Sequence, residues 1–279
     1  MCQNRRRPGH PGAPFDGSRG RSSSLAFWRS LLALSLPFWI VGAFVESPRD
    51  VPMDLPIAAL MFPCPAIAAC WALYRDEGRA GPARLWRGVL VTARFEPWWW
   101  YVVSATVIPS MMLVTAGLVP EDPTRTGAAE SWPVLLAMVP AFLVSALLEE
   151  VGWMGFLFPS LGGDVKPVRA AFWLGAAWGF WHLTPLVQAG HGTSWTLGWF
   201  LGTVAARVLI VWLYVESSGS IAVAVVCHAS INVSELYVSG LSEAATMWVS
   251  GVLLSMVAAA VATRLRALGA ERAALGETG

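Results

Sequence analysis

Charge is scarce in this chain. Only 13% of its 279 residues are Asp, Glu, Lys or Arg, about half of the ~25% usual in soluble domains. A soluble fold of this length needs more polar surface than that to cover itself. An ordinary water-soluble enzyme is therefore excluded, and so is intrinsic disorder, which requires a polar, charged chain. Lysine is nearly missing, with Lys166 alone beside 18 Arg. The net charge of +1 supplies no global field for nucleic acid. Cysteine is limited to Cys2, Cys64, Cys70 and Cys227. None of them forms a CxxC pair, which excludes a disulfide scaffold and a cysteine zinc cluster. There is no clear internal repeat, and that weakens a transporter built from inverted repeats.

What is present is apolar. Hydrophobic residues reach 56% before the 26 glycines are added, above the roughly 45–50% that soluble domains carry with glycine included. A bilayer core needs about 20 apolar residues per helix. Eight segments qualify: 25–45, 55–74, 98–119, 132–158, 170–187, 195–214, 220–237 and 244–263. The expected fold is an all-α, polytopic membrane helix bundle of about eight spans. Residues 25–265 form its transmembrane domain, between a disordered basic tail over 1–24 and a disordered tail over 266–279. Pro56, Pro63 and Pro65 interrupt the second span, which is tolerated where neighbours satisfy the freed backbone groups. Segment 83–97 mixes Arg84, Arg87 and Arg94 with apolar residues and runs into Trp98, Trp99 and Trp100. It reads as a helix lying in the membrane interface.

The basic residues are unevenly placed. Fifteen of 19 lie in the two tails and the second and fourth loops, against Arg49 and Arg125 on the opposite side, while Arg29 and Arg207 sit inside spans. Cytoplasmic loops are those enriched in Lys and Arg. Both termini are therefore expected in the cytoplasm, in a multi-pass protein of a cell membrane of the bacterial inner-membrane type.

Ionisable groups within spans are costly and usually functional. Here they are Glu149 and Glu150 in the fourth span, His182 in the fifth, Arg207 in the sixth and His228 in the seventh, where Asn232 follows. At 1.5 Å per residue, Glu149 lies about 13 Å from the inner end of its span, His182 about 18 Å, His228 about 12 Å and Asn232 about 18 Å. Three helices thus place a carboxylate, two imidazoles and an amide in one layer, displaced toward the cytoplasm. His228 and Asn232 are i,i+4 and share a helix face. Glu149 and Glu150 are about 100° apart on a helix, so they serve different roles. A carboxylate and imidazoles in an apolar site suit general-base activation of water, and a second His with an amide suits an oxyanion. Glu149, His182 and His228 also make a ligand set for a divalent metal such as zinc. Metal-bound and metal-free water both remain open. Glu235, near the outer end of its span, and His191, in an outer loop, read as solvated residues.

These residues resemble the CPBP family of intramembrane proteases, also called Abi, which includes CAAX prenyl endopeptidases and bacteriocin-processing or bacteriocin-immunity proteins. The first motif reads Glu149-Glu150-Val151-Gly152-Trp153-Met154 here, the second Trp178-Gly179-Phe180-Trp181-His182, and the third His228-Ala229-Ser230-Ile231-Asn232. The likeness covers about 130–237. It implies an intramembrane endopeptidase, glutamic or metal-dependent, acting on a membrane-associated protein or peptide within the lipid bilayer. It further implies that Glu149 and His182 activate the attacking water and that His228 and Asn232 stabilise the oxyanion, or that some of these bind a metal. One position departs from the pattern: the motif Arg is Met154. That leaves Glu150 without its i+4 partner. Arg207 lies about 10 Å deep and Glu150 about 12 Å, so Arg207 is expected to supply the charge from another helix. Two other readings stand beside the peptidase: a non-proteolytic immunity or scaffold membrane protein, and a transporter using the Glu/His layer as a proton relay.

Overall fold

The computed structural model describes residues 20–45, 56–120, 132–161, 166–238, 241 and 243–274. Every regular element among them is helical, and the chain is a polytopic helical bundle. The helices are α1 (Gly20–Phe44), α2 (Cys64–Glu77), α3 (Ala80–Phe95), α4 (Trp98–Leu118), α5 (Trp132–Gly152), α6 (Pro167–Gln188), α7 (Thr193–Glu216), α8 (Ile221–Tyr237) and α9 (Glu243–Ala274). Each expected span falls on one of them. Six segments are long and apolar enough to cross a membrane: Ser22–Phe44, Ile57–Glu77, Trp98–Leu118, Leu136–Ser160, Thr193–Glu216 and Ala244–Leu268. The remaining two expected spans correspond to α6 and to the shorter apolar helix α8. Those two carry His182, His228 and Asn232, polar residues that dilute their hydropathy.

Proline and turn residues explain the breaks. The expected span 55–74 is a 3₁₀ turn over Ile57–Met61 followed by α2, with Pro63 at the N-cap and Pro65 in the first turn. Both prolines sit where a missing N–H costs nothing. Between α7 and α8 the chain reverses through Ser218 at φ 53° and Gly219 at φ 88°, and the Ser220 hydroxyl accepts the N–H of Val223 at 3.4 Å to cap α8. Helix α3 matches the interface segment expected over 83–97, and Trp98 and Trp99 beyond it are exposed.

Two expected boundaries differ. Helix α1 begins at Gly20 and α9 runs to Ala274, so 20–24 and 266–274 are helical rather than tail. Continuing a helix past the bilayer adds one hydrogen bond per residue without a new nucleus, and the Ala, Arg and Leu of the α9 extension are good helix formers. The rest of the expected N-terminal tail, with Arg49 and Arg125, lies outside the described residues.

Helices α5 and α7 form the centre. In each, 61% of the most apolar stretch is buried, against 22% for α1 and α4. Two glycines set close approaches beside the site. A Cβ on Gly152 would lie 2.6 Å from the backbone of Pro65, so α5 and α2 touch there. A Cβ on Gly175 would lie 2.9 Å from Val204 Cα and 3.2 Å from Arg207 Cβ. Gly175 therefore lets α6 press against α7 at the turn that carries Arg207.

Candidate active site

The two glutamates end α5 and turn to different neighbours, as 100° of helical rotation requires. Glu149 is 5% exposed, and its Oε2 accepts the indole N–H of Trp178 on α6 at 2.9 Å. Glu150 is fully buried and faces α7 and α8. Arg207 Nη1 donates to both of its oxygens, at 2.9 and 2.7 Å, and His228 Nδ1 lies 2.7 Å from Oε1. The ion pair expected across helices is thus present. Arg207 is also fully buried, and its Nε and Nη2 have no acceptor among the described residues. Burying both charges costs solvation that the pair must offset. Trp178 adds to that balance, since the guanidinium carbon sits 4.2 Å from its ring centroid, within cation–π range.

Just past the glutamates the helix widens. Residues Trp153–Leu157 form a π-helical turn in which the Phe158 N–H reaches the Trp153 carbonyl. Such single wide turns concentrate at functional sites. All five side positions of this turn are buried, Met154 completely. The turn is held by aromatic packing, with Trp153 against Phe27 and Trp28 of α1 and against Trp181 of α6.

Trp178 joins the parts. Its ring packs edge-on to His182 at 5.4 Å between centroids and to His228 at 4.9 Å. Its backbone carbonyl lies 2.9 Å from His182 Nδ1. A carbonyl only accepts, so Nδ1 carries the proton and Nε2 of His182 holds a free lone pair. One turn of α6 further on, Trp181 packs on the same imidazole at 4.7 Å and donates its N–H to Ser35 of α1 at 2.9 Å. Ser35 in turn bonds the Leu31 carbonyl at 2.7 Å. Helix α1 thereby braces the His182 side of the site.

Glu149, Glu150, His182, Arg207 and His228 are brought into one connected cluster. Asn232 is less engaged: it is half-buried, one turn along α8 from His228, and makes no side-chain hydrogen bond among the described residues. The metal expectation fares differently. Among the described residues no three His, Cys, Asp or Glu groups come together as a ligand set. Glu149 is held by Trp178 through Oε2 and His228 by Glu150 through Nδ1, which leaves Glu149 Oε1 and His228 Nε2 directed elsewhere.

Two residues of this neighbourhood escaped the sequence reading. Trp199 of α7 lies 5.7 Å from His182, ring to ring. Glu235 is half-buried rather than solvated. His191, also expected in solvent, stacks on Trp195 at 3.6 Å. The i,i+7 spacing from His228 to Glu235 is the signal that could have found Glu235.

A family of known proteins matches the same region. Residues 130–234 match the family model described as type II CAAX prenyl endopeptidase Rce1-like. That segment holds all six residues singled out above, from Glu149 to Asn232. The chain is also 28% identical over 138 residues to CAAX prenyl protease 2 of Methanococcus maripaludis. The alignment covers 46% of this chain and 48% of that protein, so the chain spans about half the length of the curated relative it matches. Together the family match and this relative support the CPBP family for this chain.

Proposed function

We propose that the protein is a membrane-embedded endopeptidase that hydrolyses a peptide bond of a membrane-associated protein or peptide with an activated water. The observation that carries this reading is the pairing of a carboxylate with a free imidazole nitrogen around Trp178. Glu149 accepts the indole N–H through Oε2, which leaves Oε1 to take a proton. His182 is fixed through Nδ1, which leaves Nε2 as a base. A water held by both would lose its proton as it attacks the carbonyl carbon, and the proton would pass to the leaving nitrogen.

The second imidazole serves the oxyanion. Glu150 holds His228 by Nδ1, so its Nε2 faces away from that carboxylate. When Nε2 of His228 carries a proton, it donates to the developing negative charge. Asn232, on the same face, offers an amide N–H to the same oxygen. Preorganised donors of this kind in a water-poor site are worth about 10²–10³ in rate. Helix number and the buried site favour a substrate that reaches it within the bilayer.

The test compares membranes of cells carrying the wild-type protein, Glu149→Gln or His228→Ala, with N-terminal sequencing of the membrane proteome. Both variants should leave the same uncut precursors, with turnover reduced about 10²–10⁴-fold, while purifying as folded protein. Unchanged N-termini in both variants would sink the peptidase reading and favour an immunity or scaffold role.

A further inference from the structure

Helix α6 turns one face to the candidate active site and leaves grooves on its other faces. Arg169 and Trp178 are nine residues apart, about two and a half turns, so they leave the helix in opposite directions. On the Arg169 side a groove of about 450 Å³ runs between α6 and α7, lined by Arg169, Phe172, Trp173, Ala176, Phe200 and Val204. That volume is in the range of about 300–1,000 Å³ usual for ligand sites. Small residues make it. A Cβ on Gly175 would lie 2.9 Å from Val204 Cα, and one on Gly179 would lie 2.7 Å from the Phe200 ring. The two helices meet at these glycines, and the short side chain of Ala176 leaves space beside the contact. A second groove of about 210 Å³ lies between α6 and the end of the π-helical turn, lined by Trp28, Leu157, Leu161, Leu174 and Ala177 together with Trp173. Trp173 is thus the wall that both grooves share, and it is 69% exposed.

The two grooves are apolar except at Arg169. Arg169 is exposed and is i,i+4 from Trp173, on the same helix face. It makes no ion pair among the described residues. Lys166, the exposed N-cap residue of α6, lies three positions before it. From Arg169 to Ala176 the larger groove reaches about 10 Å along the span. A cation at the end of a span, with apolar channels leading inward from it, is placed as a phospholipid is built. Basic pockets between membrane helices hold anionic headgroups, and a guanidinium meets phosphate oxygens in strong, charge-assisted hydrogen bonds. One phosphate and two chains correspond to one arginine and two grooves.

We propose that Arg169 and the grooves flanking Trp173 bind one anionic diacyl phospholipid, with its phosphate on the guanidinium and one chain in each groove. The site is separate from the peptidase reading and does not depend on it.

The experiment titrates the purified, delipidated full-length protein in detergent and counts bound lipids by native mass spectrometry, which needs no cleavage. The probes are palmitoyl-oleoyl phosphatidylglycerol, palmitoyl-oleoyl phosphatidylcholine, a single-chain phosphatidylglycerol and inorganic phosphate. The wild type should take up one diacyl phosphatidylglycerol at about tenfold or more lower concentration than one phosphatidylcholine, the worth of one charged hydrogen bond. Arg169→Gln should bring that ratio close to one, Arg169→Lys should keep most of it, and Arg266→Gln, an exposed cation on α9, should leave it unchanged. Ala176→Trp fills the larger groove and should weaken both diacyl lipids alike. The single-chain lipid should bind more weakly than its diacyl form. Equal uptake of the two diacyl lipids by the wild type, or a preference that survives Arg169→Gln, overturns the site. Binding unaffected by Ala176→Trp, or a single chain held as tightly as two, overturns the placement of the chains. Displacement of phosphatidylglycerol by inorganic phosphate at the same concentration would reveal a headgroup site alone and overturn the lipid.

Discussion

Arg207 and Met154 show how one charge can change helix without leaving its partner. Position 154 is i+4 from Glu150 and completely buried, so an arginine there would lie over the same carboxylate. In this chain Met154 fills that space with apolar volume, and the guanidinium arrives from α7 instead, 2.7 Å from Glu150. Arg207→Met should destabilise the protein by about 3–5 kcal/mol, because it strands a buried carboxylate, and should misdirect His228. Adding Met154→Arg to Arg207→Met should recover stability by about 1 kcal/mol or more through direct coupling, and recover turnover with it. Thermal unfolding in nanodiscs and peptide cleavage measure the two effects. A double variant no better than Arg207→Met alone would mean that the charge cannot be relocated. The partnership was legible in the sequence because span depths can be counted in residues. Trp178 was harder to single out: one tryptophan among 16 declares its role only when its N–H, carbonyl and ring face are seen to meet Glu149, His182 and Arg207. Glu235 was expected in solvent from its distance to the span end, and it is half-buried on the helix face that carries His228.

At the scale of elements, small residues decide where the helices meet. Without a hydrophobic drive between helices in lipid, close packing supplies the attraction, and Gly175 provides it at the contact that sets Arg207. Its absent Cβ leaves room that Val204 Cα would occupy at 2.9 Å. Gly175→Ala should therefore separate α6 from α7 by a few tenths of an ångström or more, with a cost of about 1–3 kcal/mol for overpacking. Gly117→Ala in α4 is the control, since nothing lies within 4 Å of the added carbon. It should be neutral, or stabilising by up to about 1 kcal/mol through helix propensity. Thermal midpoints of the two variants would decide, and equal shifts would refute the packing account. Helix positions were legible from apolar runs, because each run of that length has to satisfy its backbone internally in lipid. The π-helical turn was not legible. Nothing in Trp153–Leu157 forbids an ordinary α-helix, and the wide turn follows from packing of Trp153 against α1 and α6.

For the whole molecule, the scarcity of charge is also an orientation signal. Fifteen of the 19 basic residues lie in the segments that contain the two ends of the chain and the loops expected on their side. Moving that many cations across a bilayer is the event that membrane insertion avoids. Both ends should therefore lie on the cytoplasmic side, and the segment between α4 and α5 on the other. Single cysteines at Ser18→Cys, Thr124→Cys and Thr278→Cys report this, in a background where the four native cysteines are replaced. A membrane-impermeant maleimide should label Thr124→Cys in intact cells and the two terminal positions only after the membrane is opened. The same topology fixes the polarity of the site. Helix α8 starts from the turn at Ser217–Ser220, on the side of the termini, so His228 would be nearer the cytoplasm and Glu235 nearer the opposite face. Reversed labelling would leave the cluster intact but invert that order. It would place the end of the site near the α6–α7 connection toward the cytoplasm.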